Sequence, residues 1–271
     1  MNWQKLHKLF AKFNHTGVVG AVLIALTTLL FFGCSPRPES KRILFIGNSY
    51  TYRNNMPLLF QEIAKSKGYS VDVTAITRGK YTFYLQAQRK IIKRVLKHHT
   101  YDVIVLQGSS MDLLWDSSRL KSRTFPAIEQ LITTIRTYQP QSKLYLYMTW
   151  AYGIQDSSSG KMSYSNQMLE ALDQGYRNLK KKFNVPVIPV GKVWANYLKK
   201  YPQVVLYTQD CAHPSFVGSY LVAGTMFQAI YGKPLKGAPT LTIRRSKEIK
   251  TVQDFVTEQF QTPEIKSYLV K

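Results

Sequence analysis

Five short apolar runs rich in β-branched residues punctuate the chain: RILFIG (42–47), SVDVTAI (70–76), DVIVLQ (102–107), KLYLYMTW (143–150) and VPVIPVG (185–191). Stretches with helical spacing separate them, at about 57–67, 81–98, 121–138 and 164–183, with two more at about 191–200 and 215–231. This alternation is the strongest constraint on the fold. A strand that is apolar along its whole length must be covered on both faces, and a strand followed by an amphipathic helix returns parallel to its neighbour. The expectation is an α/β protein, a three-layer α/β/α sandwich around a five-stranded, flavodoxin-like parallel sheet. In such sheets ligands bind beyond the carboxyl ends of the strands, so the loops at that edge are where chemistry is sought.

No shift in composition divides the body, which is read as one domain over 41–235. Residues 236–271 form a C-terminal extension. Within it, Ile249, Val252, Phe255, Val256 and Phe260 have the spacing of a helix that packs back on the domain. The beginning of the chain is different. Lys5, Lys8 and Lys12 precede an uncharged run from Gly17 to Gly33, the pattern of a secretory signal over 1–33. Phe31-Phe32-Gly33-Cys34 resembles the lipobox of bacterial lipoproteins, which implies a lipidated Cys34 followed by a short tether to residue 40. An uncleaved membrane anchor is the alternative reading of the same run. Either places the domain at the bacterial cell envelope, anchored in a membrane and facing the periplasm or the exterior.

Cys211 is the other cysteine, so with Cys34 lipidated no structural disulfide is expected. The histidines after the signal, His98, His99 and His213, are too scattered to predict a metal site. The net charge is +22, or +19 without the three signal lysines. For an exported protein such a field points to phospholipid headgroups or acidic polysaccharide rather than nucleic acid, and a merely solvated basic surface stays open. The densest basic run, RKIIKRVLK (89–97), has its apolar residues at helical spacing and reads as the outer face of a packed helix.

The first strand ends abruptly at Gly47-Asn48-Ser49. A serine at a strand-to-helix turn is commonly a helix cap. A phosphate loop is ruled out by the absence of a G-K-[ST] ending. As a nucleophile, Ser49 needs a base, because a serine hydroxyl is weak at neutral pH. His98 and His99 precede the third strand, at the wrong edge. His213 follows the fifth strand at the same edge as Ser49, and Asp210 stands three residues before it in DCAHPS, where one loop can present the carboxylate to the imidazole. The G-x-S-x-G elbow of α/β-hydrolases is missing.

The combination of Gly-Asn-Ser after the first strand, a lone glycine in TRGKYT after the second and the terminal Asp-x-x-His-Pro is similar to the SGNH (GDSL-type) esterases. The resemblance implies Ser49 as nucleophile, with the backbone N–H groups of Ser49 and Gly79 in an oxyanion hole. An asparagine usually completes the hole, from a Gly-x-Asn-Asp segment after the third strand. Here that segment reads VLQGSSMD, and Gln107, Ser109 and Ser110 are the candidate replacements, with Gln107 first. No metal or organic cofactor is implied.

Tyr50, Trp115, Trp150 and Tyr152 fall in loops at the catalytic edge and are candidates for a substrate-binding wall, with rim packing as the other reading. The resulting expectation is an envelope serine esterase acting on a small-molecule or polysaccharide ester, O-acetyl groups on carbohydrate foremost. Lipid-ester hydrolysis, O-acyl transfer with the same residues and a non-catalytic polysaccharide-binding role are the alternatives.

Overall fold

The computed structural model describes residues 40–270, apart from 157, 160 and 161. The expected signal segment and Cys34, the expected lipidation site, lie outside the described residues. β1 (Lys41–Gly47) runs into the one-turn helix α1 (Ser49–Tyr52) and then α2 (Met56–Ser66). β2 (Val71–Thr77) precedes α3 (Phe83–Ala87) and α4 (Lys90–His98), and β3 (Val103–Leu106) leads to α5 (Phe125–Tyr138). After β4 (Lys143–Tyr147) come a small antiparallel hairpin, β5 (Gly153–Gln155) with β6 (Met162–Tyr164), and then α6 (Asn166–Phe183). β7 (Val187–Ile188) passes almost directly into α7 (Val190–Lys200), and α8 (Phe216–Tyr231), α9 (Ser246–Gln259) and α10 (Pro263–Leu269) follow.

The large sheet has the order β2-β1-β3-β4-β7, and every pairing in it is parallel. The chain therefore builds outwards from β1 in both directions, the arrangement that opens a crevice at the carboxyl ends of β1 and β3. Alternate residues of each strand supply two separate cores, as strand geometry requires. Ile43, Phe45, Val103, Val105, Tyr145 and Tyr147 face α2, α7, α8 and α9. Leu44, Ile46, Ile104, Leu106, Leu144 and Leu146 face α4, α5 and α6. Each such side chain contributes roughly 1.5–3 kcal/mol when fully buried, so both layers of helices are needed to hold the sheet. Residues 40–271 form one compact unit that carries both cores.

Three elements differ from the sequence-based expectation. The run at 185–191 is a strand only at Val187–Ile188, and Val190 already opens α7. Gly191 packs directly on β4's exit, where a Cβ would stand 2.1 Å from the Thr149 carbonyl oxygen. The helical stretch at 81–98 is broken between α3 and α4, because Arg89 takes an extended conformation (φ −80°, ψ 106°). Gln86, just before the break, turns inward and donates to the Gln107 carbonyl at 2.7 Å. The stretch at 121–138 becomes α-helical only at Phe125; Leu120–Thr124 is wound as a π-helical turn. In the C-terminal extension, Ile249, Val252, Phe255, Val256 and Phe260 are buried, and Ile265 and Tyr268 of α10 are buried with them.

Candidate active site

β1 delivers its last residue, Gly47, into a space with no room for a side chain. A Cβ there would lie 2.3 Å from Thr51 Oγ1 and 2.5 Å from Gln107 Oε1. Asn48 then leaves the strand in an extended conformation, and its side-chain oxygen caps the new helix by accepting from Tyr50 N–H at 3.0 Å. Ser49 is thereby the first residue of α1, where no intrahelical carbonyl reaches its own N–H. The cap is Asn48, which frees the Ser49 hydroxyl for another partner.

That partner is His213. Ser49 Oγ lies 2.9 Å from His213 Nε2, and His213 Nδ1 lies 2.5 Å from Asp210 Oδ2. The histidine loop is a closed hairpin-like structure. Tyr207 and Pro214 form an antiparallel bridge, Thr208 N–H donates to His213 O at 2.8 Å and Ser215 N–H donates to Leu206 O at 2.8 Å. Asp210 organises the interior. Its Oδ1 accepts from the N–H groups of Ala212 and His213, at 3.0 and 2.9 Å, and from the Thr208 hydroxyl at 2.8 Å. Burial opposes the charge, but the hydrogen bonds from His213, Ala212 and Thr208 outweigh it and hold the carboxyl well below the usual carboxylate range. Cys211 completes the turn with a left-handed backbone (φ 54°), packs against the core, and its sulfur lies 3.8 Å from the Gln209 carbonyl oxygen.

The two parts meet through Asn54, also left-handed (φ 52°). Its amide donates to the Pro214 carbonyl at 3.1 Å and to Ser219 Oγ at 2.9 Å.

Gln107 is placed differently from its expected role. It is wholly buried, and its Oε1 accepts from Asn48 N–H at 2.9 Å and Thr51 Oγ1 at 2.7 Å. Its Nε2 donates to the Gly108 carbonyl. The amide is thus turned beneath the serine turn and offers no hydrogen to the cleft: Gln107 is a clamp on the nucleophile's backbone, not an oxyanion donor in this conformation. Ser109 caps Met111 N–H, and Ser110 Oγ donates to Trp150 O at 3.1 Å. Among the described residues neither Gly79 N–H nor Ser49 N–H has an intramolecular partner, so both are open backbone donors at the carboxyl ends of β2 and β1. Tyr52 covers Gly79, its hydroxyl 3.0 Å from where a Cβ would be.

Beside the clamp lies a buried acid. Asp112 Oδ2 accepts from Phe83 N–H at 2.9 Å and Ser109 N–H at 2.7 Å. Burial pushes its carboxyl up to about 6, against the pull of those hydrogen bonds and of Arg119.

The four aromatic candidates also separate. Trp150 is fully buried, stacked on Trp194 at 4.2 Å, and its Nε1 donates to Ala212 O at 2.9 Å. Tyr50 is buried between Trp150, at 4.7 Å, and the edge of His213, at 5.5 Å. These two are buried against the His213 loop and so are not a wall facing the cleft. Trp115 and Tyr152 remain half-buried, and Arg119 stacks on the Trp115 ring at 3.6 Å. Thr51, Asn54 and Thr208 take positions that sequence reading did not assign. Only Thr208 had a local signal, a hydroxyl two residues before Asp210.

Among the described residues, no group of three or more His, Cys, Asp or Glu side chains is arranged to hold a metal ion. The arrangement instead suits proton transfer: a hydroxyl, an imidazole and a carboxylate in one hydrogen-bonded series.

No family model matches the chain, and no curated protein matches it in sequence. Solved structures do. A DUF4886 family protein from Bacteroides uniformis superposes with a TM-score of 0.70 at 17% identity, over 83% of this chain and 96% of that one. An acetyl xylan esterase gives 0.53 at 22% identity, over 70% of this chain and 99% of the other. A protein described as a GDSL-like lipase from Parabacteroides merdae gives 0.53 at 17% identity, over 73% and 99%. The chain has the sandwich fold shared with SGNH-type esterases and lipases.

Proposed function

We propose that the protein is a serine esterase. The observation that carries this reading is the continuous series Ser49 Oγ, His213 and Asp210, with contacts of 2.9 and 2.5 Å. Asp210 accepts the Nδ1 proton of His213 and so leaves Nε2 as the base facing Ser49. Ser49 Oγ attacks the ester carbonyl carbon while its proton passes to Nε2. The oxyanion that forms is met by Ser49 N–H and Gly79 N–H. The tetrahedral species collapses, the alcohol leaves with the proton from Nε2, and water repeats the cycle on the acyl-enzyme.

Within that chemistry we place the substrate as an O-acetyl group on carbohydrate at the bacterial cell envelope. The likeness to an acetyl xylan esterase supports this. So does the openness of the base, since the side chains of His213 and Asp210 keep 26% and 47% of their exposure, which suits an ester carried on a polymer. The signal pattern and Cys34 support an envelope lipoprotein.

Purified protein lacking the signal should hydrolyse short aryl acetates and release acetate from acetylated glycans in preference to cleaving phospholipids. An organophosphonate should label Ser49 and no other residue, and Ser49→Ala should lose at least about 10⁴-fold in kcat with an unchanged unfolding midpoint. Labelling at Cys211, or full activity in Ser49→Ala, would sink the reading. For the anchor, Cys34→Ala should abolish incorporation of radiolabelled fatty acid; retained label would refute lipidation at that cysteine.

A further inference from the structure

A parallel sheet wrapped by helices has two unlike edges. The strands end at one, with Ser49 and His213, and the strands begin at the other, where the helices finish. At this second edge the ends of α4, α5 and α6 are tied together. Gln139 Nε2 donates to Leu96 O and His99 O, both at 2.7 Å, and Arg136 Nη2 donates to Phe183 O at 2.6 Å. The cations gathered on it are Lys97, Arg136, Lys143, Lys180 and Lys181, and none of these is paired with a carboxylate among the described residues. Two adjoining recesses open there and share Asn184, Val185 and Pro186. One, of about 340 Å³, is lined by Lys180, Lys181 and Arg177, the last paired with Asp173 at 2.7 Å, and the other, of about 180 Å³, by Arg136 and Lys143.

Cations at helix C-termini complement the helix dipole, which accounts for Lys97, Arg136, Lys180 and Lys181 singly. It does not account for Lys143, which begins a strand beside Asp102, whose Oδ2 accepts instead from Arg42 N–H at 2.6 Å. We propose that this edge docks on a membrane surface of anionic phospholipid. The headgroup phosphates match the cations in charge, and the recesses admit them. The chain points the same way, because Ser40 and Lys41 begin β1 at this very edge, so the preceding segment joins the body on the docking side. The anchor itself rests on the envelope reading above, whereas the charge placement does not. Docked in this way, Ser49 faces away from the lipid.

Residues 40–271, which carry both cores, provide the test without the anchor. In co-sedimentation, this body should bind vesicles of phosphatidylcholine containing phosphatidylglycerol and ignore vesicles of phosphatidylcholine alone. The combined variant Lys97→Glu, Lys143→Glu and Lys181→Glu should bind roughly a hundredfold more weakly, about fivefold for each lost cation. A control with as many charges reversed, Arg244→Glu, Lys247→Glu and Lys250→Glu, should bind as the parent does. Thermal unfolding of both variants separates lost binding from lost fold, and aryl-ester hydrolysis reports the esterase reading independently. Equal losses from the two variants, no binding to anionic vesicles, or binding to a soluble acidic polysaccharide in place of vesicles would each overturn the assignment.

Discussion

The turn that carries Ser49 and the loop that carries His213 hold their residues by opposite means. Around Ser49, the bonds from Asn48 and Thr51 to Gln107 span 59 and 56 positions, and all three residues are at most 4% exposed. Around His213, Asp210 is bonded to residues two and three positions away, with nearly half its side chain in solvent. The first region is a product of the whole fold, since β1 and β3 must pair before Gln107 can reach the turn. The second is shaped locally, by a short hairpin and a carboxylate that binds its own neighbours, and is docked from outside through the Trp150 Nε1 bond to Ala212 O and the Gly153 N–H bond to Cys211 O. A nucleophile placed by long-range burial and a base placed by local bonding should therefore fail in different ways.

The largest effect is expected on the local side. Asp210→Asn removes the charge that fixes the His213 tautomer but leaves an oxygen for the loop amides. We expect kcat to fall by about 10⁴-fold while the unfolding free energy changes by less than about 1 kcal/mol. Steady-state kinetics beside denaturant unfolding check this, and near-normal kcat would remove Asp210 from the mechanism.

On the buried side the loss should be of fold before chemistry. Gln107→Ala leaves Asn48 N–H and Thr51 Oγ1 without their acceptor, and each orphaned buried group costs about 1–3 kcal/mol. Stability should drop by about 2–4 kcal/mol together with activity. If kcat fell while the urea midpoint stayed in place, Gln107 would regain the oxyanion role that its sequence position suggests.

Asp112 sharpens the comparison by a smaller amount and through pH. Its folded-state carboxyl, at about 6, lies above the ordinary value of 3.8, so between these pH values the folded protein binds more protons than the unfolded one. Stability from this group therefore decreases as pH rises from 4 to 6, by on the order of 2 kcal/mol. Asp112→Asn keeps an oxygen for the Phe83 and Ser109 amides, both of which bind a single carboxylate oxygen. The variant should lose that part of the slope and match or exceed the parent at pH 7. Chemical unfolding at pH 4 and pH 7 measures it, and an unchanged slope would show that Asp112 is not the titrating group.

The same contrast explains what could be read from the sequence. The sheet was legible because continuous apolar runs leave few alternatives to buried parallel strands, and DCAHPS was legible because its geometry spans a few residues. The Gln107 clamp was not, since a glutamine at a strand end carries no mark of which turn it will meet. Trp150 and Tyr50 were read as cleft residues from their place in loops, yet stacking on Trp194 and the bond to Ala212 O draw them inward. The β5–β6 hairpin was missed because three-residue strands are too short to show a period.

Asn54 stands between the two regions, bonded to the carbonyl that follows His213 and to α8, two residues after the end of the helix that bears Ser49. A shift at the end of β1 must carry the histidine loop with it. In the proposed reaction the hydroxyl and the imidazole would begin each turnover already in contact, at the 2.9 Å that the fold sets.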